Sequence, residues 1–196
     1  MFESMLLGGE PTLVQLTLFT DALVIRGAVR TRQQRITDIL NGADDDFLVL
    51  ADTIIDEYGT RSSAMKTEYA QVNLASVLFA VADTAIEARP DLRTPKVPEQ
   101  AMISIPPFRI TGRIHLLPER DLSVALSELT GKFLPVTDAT YWSDTVGEAR
   151  STAPMVAVNH ARAQILAPHR EADPWAGLDR GAGASGGTGE GPAGAA

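Results

Sequence analysis

Apolar and polar positions alternate along residues 23–30, with Leu23, Ile25, Gly27 and Val29 on one side and Val24, Arg26, Ala28 and Arg30 on the other. The same rhythm returns at 108–116, where Phe108, Ile110, Gly112, Ile114 and Leu116 alternate with Arg109, Thr111, Arg113 and His115. A period of two with one apolar face predicts a half-buried strand. The inward Gly27 and Gly112 mark a bulge, a bend or the close approach of another backbone. A strand precedes each, at 13–19 and, ahead of Pro106-Pro107, at 102–105. A helical turn follows each. Ile36, Ile39 and Leu40 have i, i+3, i+4 spacing, as do Leu122, Ala125 and Leu126, with Asp121 placed to cap. Turns this short are unstable alone and must pack on a sheet. Strands are then expected at 47–55 and 133–142. Phe47-Leu48-Val49-Leu50 is apolar on both faces, which predicts cover on both sides. Pro135 lacks a ladder donor and predicts an edge or a bulge. The last element is ambiguous. Leu74, Val77, Leu78 and Val81 fit a helix stripe, whereas 155–167 alternates between Pro154 and Pro168. β-branched residues and flanking prolines decide for strand in both.

These patterns recur at a constant distance. Leu40, Phe47, Asp52, Val72-Asn73 and Ala75 meet Leu126, Phe133, Asp138, Val158-Asn159 and Ala161 at an offset of 86. Gly27 meets Gly112 at 85. A steady offset over separate blocks predicts an internal duplication. The expected fold is mainly β: two similar small units, each of about four strands and one helical turn, packed as a pseudo-two-fold pair. Units this small need to bury a face against each other. The boundaries read as a first repeat at 1–89, a Pro-rich linker at 90–100 (Pro90, Pro95, Pro98), a second repeat at 101–172 and a tail at 173–196. Eight of the 16 glycines lie in the last twenty residues, a composition that predicts disorder.

Charge and composition narrow the function. The 196 residues carry a net charge of −8 and no cysteine. There is thus no disulfide framework, thiolate zinc site or Cys nucleophile. Acidity disfavours nucleic acid, which usually requires a basic footprint. No apolar run is long enough to span a membrane, and the start lacks the marks of a secretory signal, so a cytoplasmic protein is expected. The acidity is uneven. Residues 1–89 hold 7 basic and 13 acidic groups, while 90–172 hold 9 of each.

The pattern Gly-x-Val/Ile, then Thr37-Asp38-Ile39-Leu40-Asn41, then Phe47-Leu48-Val49-Leu50-Ala51-Asp52, resembles a group of small β-rich bacterial domains of unknown function. The likeness extends over both copies. The second departs from it at Ser123-Val124-Ala125-Leu126-Ser127, so no role of Asp38 or Asn41 is duplicated. The resemblance lends no catalytic residues. The strand-bend-strand rhythm is also similar to Sm-like and SH3-like small barrels, an analogy of fold alone.

No catalytic motif stands out, and a non-enzymatic protein without cofactor or metal is expected. His115, His160 and His169 have no metal-ligand spacing. Asp44-Asp45-Asp46 lacks the ligand alternation of a calcium loop and reads as a solvated loop. The carboxylates Asp56 and Glu57, or Glu119 and Asp121, are marked by proximity alone. Asp52, Asp138, Asn73 and Asn159 are assigned to structural hydrogen bonds. The candidate interaction surface is Arg26 and Arg30 with Arg109 and Arg113, on the outward faces of the two central strands, joined by Tyr141 and Trp142. The expected function is a scaffold, adaptor or assembly subunit that binds another protein or its own copies. Two alternatives are RNA binding through the arginine faces and a sensor or enzyme site between the repeats.

Overall fold

The computed structural model describes residues 10–33, 35–43, 46–58, 64–82, 96–118 and 121–168. The glycine-rich tail, His169, Asp44, Asp45, Glu119 and most of the expected linker lie outside these residues. The first half runs β1 (Thr12–Phe19), β2 (Leu23–Thr31), α1 (Ile36–Asn41), β3 (Phe47–Glu57), β4 (Met65–Asn73) and β5 (Phe79–Ala82). The second runs β6 (Val97–Ile105), β7 (Phe108–Leu116), α2 (Leu122–Ser127), β8 (Phe133–Ser143), β9 (Glu148–Asn159) and β10 (Ile165–Pro168). The protein is mainly β. The ten strands of the described residues form one sheet in the order β10-β6-β7-β8-β9-β5-β1-β2-β3-β4, and every pairing among them is antiparallel.

Within each half the strand order is fifth, first, second, third, fourth. The halves meet where β5, the fifth strand of one, pairs with β9, the fourth of the other. An isologous two-fold contact joins like strands; this one joins unlike strands.

Each half turns on the same local device. Opposite Gly27 the pairing of β2 with β3 slips between Arg26 and Ala28; opposite Gly112 the pairing of β7 with β8 slips between Thr111 and Arg113. The partner strands accommodate the slip with Asp52 and Asp138, both at φ 49°. Aspartate tolerates this left-handed backbone better than most residues. The glycines are required by proximity. A Cβ on Gly112 would lie 2.7 Å from Val136 Cγ1 and 2.9 Å from the Thr137 carbonyl oxygen, and one on Gly27 would lie 3.0 Å from the Ala51 carbonyl oxygen. The pairing of Gly with Asp is therefore a β-bulge that bends the sheet.

Several elements differ from the sequence reading. Among the described residues each half has five strands rather than about four. The addition is β4 in the first half and the early part of β9 in the second, where Lys66, Thr67, Glu68 and Tyr69, or Arg150, Ser151 and Thr152, show no apolar face. The ambiguous last element is composite. A turn at 74–76 or a 3-10 turn at His160–Arg162 separates a long strand from a short one. Pro135 lies in an interior strand, but the pairing of β7 with β8 reaches only Thr137, so its missing N–H deprives no neighbour. Pro98 of the expected linker belongs to β6, opposite His115 and beyond the reach of β10. Phe47-Leu48-Val49-Leu50 is covered on one face only: Leu48 and Leu50 are buried, while Phe47 and Val49 are exposed.

The core has two parts that exchange residues at the junction. The cluster of the second half takes in Phe19, Val24, Leu78 and Phe79 from the first. The cluster of the first half takes in Phe133 and Ala157 from the second.

Candidate functional site

The junction between the halves is built from backbone bonds, two asparagines and a stack of rings. β5 and β9 align Phe79 with Val158, Ala80 with Ala157 and Val81 with Val156. Beyond them the Asn159 amide donates to the Leu78 carbonyl at 2.8 Å. The buried Asn159 side chain folds back on its own turn, where Oδ1 accepts from the Ala161 amide at 3.2 Å. Its Nδ2 donates across the junction to the carbonyls of Val77 at 2.8 Å and Leu74 at 3.3 Å. Asn41, at the end of α1, reaches the opposite half. Its Nδ2 donates to the Phe133 carbonyl at 2.9 Å, and its Oδ1 accepts from the Phe133 amide at 2.8 Å. Both asparagines thus act as surrogate backbone, closing ends that the ladder leaves open.

Five aromatic rings fill the space beneath. Phe19 stacks on Phe79 with centroids 4.3 Å apart, and Phe108 meets Phe79 edge-on at 5.0 Å. Tyr141 packs on Phe79 at 5.1 Å, and Tyr58 closes the cluster against Phe108 at 5.7 Å. Three rings come from the first half and two from the second. Burial, then the nearby Glu148, raises the Tyr58 phenol above its ordinary pKa. Around the rim, Lys132 Nζ lies 2.7 Å from Asp46 and Arg162 Nη2 lies 2.6 Å from Asp21, each ion pair linking the two halves. The Lys132 ammonium holds the Asp46 carboxyl below its usual range.

Among the described residues the sheet stops at β4 and β10, each of which has one strand neighbour. These edges are not polar throughout. Phe47, Val49, Met65 and Tyr69 are exposed on β3 and β4, and Ile165 is exposed on β10. Exposed large apolar groups on an open strand edge are unusual, because such edges template further pairing.

The arginines face outward, as expected, but do not form matched pairs. Register places Arg26 level with Thr111, and Arg109 level with Val24. Arg26 pairs with Asp56 across β2 and β3, and Arg113 pairs with Asp138 at 2.9 Å. Two of the four cations are thus engaged by carboxylates on the next strand. Tyr141 belongs to the ring cluster under the junction. Trp142 is half-buried on β8, with the Arg150 guanidinium 4.3 Å above its ring. Arg109 is the register partner of Trp142, whereas Arg26 and Arg30 lie on β2, separated from β7 in the sheet by β8, β9, β5 and β1. Phe47 and Val49, the apolar pair that predicts cover on both faces of β3, lie exposed one strand in from the β4 edge.

The space between the halves is occupied by the rings. A cleft of about 290 Å³ lies instead within the second half, under α2, lined in part by Lys96, His115, Glu128, Leu129 and Pro135. Ala125 lines it at the place that corresponds to the larger Ile39 of α1. His115 Nε2 lies 2.9 Å from Thr137 Oγ1 on its wall. Among the described residues no group of three or more metal-ligating side chains converges, and no helix is long and apolar enough to cross a membrane. Comparison with family models, with curated proteins and with solved structures finds no match to this chain.

Proposed function

We propose that this protein is a non-enzymatic assembly module that binds by sheet-edge addition. The observation that carries the reading is a ten-stranded antiparallel sheet whose two end strands have, among the described residues, no partner on their outer side, each flanked by exposed apolar side chains. Edge strands supply affinity through main-chain hydrogen bonds and specificity through alternate side chains. The two halves are read as copies of one unit. Their common strand order, their Gly–Asp bulges at corresponding places and the constant spacing support that reading. A duplicated unit whose copies already join edge to edge is suited to extending the same sheet to a further partner.

The test is co-purification from the native host, comparing the wild-type chain with Gln71→Pro on β4. The expected result is a stoichiometric companion, its own copies or another protein, that is lost in the variant. A wild-type chain recovered single and alone overturns the reading.

A further inference from the structure

We infer that copies of this chain join head to tail, with β10 of one chain adding to β4 of the next in the register that β5 and β9 use within the chain. The inference rests on the assembly reading above and names its partner: a second copy.

The edges that no described strand covers are the counterparts of the strands already paired. β10 stands to β6 as β5 stands to β1, and β4 stands to β3 as β9 stands to β8. The registers agree. Phe79 lies opposite Phe19 on β1, and its counterpart Ile165 lies opposite Ser104 on β6. Leu48 lies opposite Val72, and Leu134 lies opposite Val158. Carrying the internal junction over therefore sets Ile165 against Val72, Leu166 against Gln71 and Ala167 against Ala70.

Burial shows which surface lacks its cover. Phe133, clasped by α1, is 1% exposed, and its counterpart Phe47 is 45% exposed. Ile36 of α1 is 2% exposed, whereas Leu122 of α2 is 37%. Phe79 is fully buried, whereas Ile165 is 53% exposed. In each case the residue at the internal junction is covered and its counterpart at an open end is not. Docking α2 and β10 of one chain over β3 and β4 of another would cover all three.

The hydrogen-bonding groups are also available. The Leu74 amide donates to Asp46 on the β3 side, so the alternating amides of Asn73 and Gln71 point away from β3. Asn73 repeats half of the arrangement at Asn159, its Oδ1 accepting from the Ala75 amide at 2.8 Å. Its Nδ2 has no partner among the described residues. The Asn159 Nδ2 in the same position spans the junction. The new contact would be weaker than the internal one, because Ser104, Arg109 and Gln164 replace Phe19, Val24 and Leu78. A head-to-tail contact either closes into a ring or runs on as a filament.

The test uses the full chain, which has no native cysteine. Ala70→Cys and Ala167→Cys are small changes at half-buried positions that the inference places opposite each other. Purified single variants are mixed and oxidised with oxidised glutathione. The expected product is a disulfide-linked pair of chains that dithiothreitol reverses and that neither variant forms alone. In parallel, light scattering on the wild type should give a whole multiple of 20.9 kDa that falls to one chain in Gln71→Pro, with unchanged far-ultraviolet circular dichroism. The inference is overturned by a wild type that stays at one chain mass at every concentration. It is equally overturned by a multimer in which the mixed variants do not cross-link, since its edges have then paired in another way. Either result leaves the assembly reading standing if a foreign protein still depends on the β4 edge; that reading falls only if nothing binds there.

Discussion

The junction of β5 with β9 and the open edges at β4 and β10 are built from corresponding strands, yet they differ in burial. At the junction, Phe133 sits under α1 with its backbone held by both ends of the Asn41 amide. At the open edge, Phe47 occupies the same place in its strand and faces outward. α1 buries Ile36, Thr37, Ile39 and Leu40, whereas α2 buries Ala125 alone. The lesson is that one strand order yields a covered or an exposed surface according to what a few side chains find opposite them.

The comparison is broken most severely by removing a junction ring. Phe79→Ala takes away the residue that touches Phe19, Phe108 and Tyr141, and should cost about 3–5 kcal/mol in urea unfolding. Phe47→Ala, measured at concentrations where chains are separate, should change stability by less than about 1 kcal/mol. Equal losses at the two sites would show that Phe47 is covered within the single chain. Next comes the asparagine pair. Asn159→Ala strands two buried carbonyls and should destabilise by about 2–3 kcal/mol, while Asn73→Ala loses one exposed turn bond and about 0.5–1 kcal/mol. Gly112→Ala should cost about 1–3 kcal/mol by overpacking against Val136 and the Thr137 carbonyl.

A pH titration sharpens the comparison further. The folded state holds the Tyr58 phenol above its ordinary pKa, so the folded chain keeps a proton that the unfolded chain gives up. Stability from this source is full below about pH 10, the ordinary tyrosine value, and declines as pH rises beyond it. Thermal melts above that pH should fall more steeply for the wild type than for Tyr58→Phe. Parallel curves would place the phenol outside the junction. The smallest effect belongs to the arginine face. Arg26→Ala removes a surface ion pair with Asp56 and should change stability by about 0.2–1 kcal/mol.

Much of this architecture is legible in the sequence, for physical reasons that can be named. β2 and β7 show a clean period of two because one face is buried and the other wet. α1 and α2 announce themselves by spacing, and Gly27 with Gly112 by their inward positions in apolar strands. The fourth strand of each half does not announce itself. Lys66, Thr67, Glu68 and Tyr69 lie on an outer strand where neither face is fully covered, so no alternation is imposed. Asp52 and Asp138 were legible as a matched pair, but their left-handed backbone was not, because φ depends on the slipped register of the facing strand. The junction itself was the least legible. β5 has four residues, too few to show a period, and its partner β9 is fixed by Asn159 and the ring stack. The arginines misled through parity. Arg26, Arg30, Arg109 and Arg113 alternate alike, but the offset of 85 that joins Gly27 to Gly112 sets Arg26 level with Thr111 and Arg109 level with Val24.

Amide hydrogen exchange resolved by residue tests most directly whether the open edges are the vacant counterparts of the junction. The account predicts that exchange at Gln71 and Asn73 slows as protein concentration rises, while Ala157 and Asn159 stay protected throughout. Fast exchange at Gln71 and Asn73 at every concentration, with Ala157 and Asn159 unchanged, would contradict it.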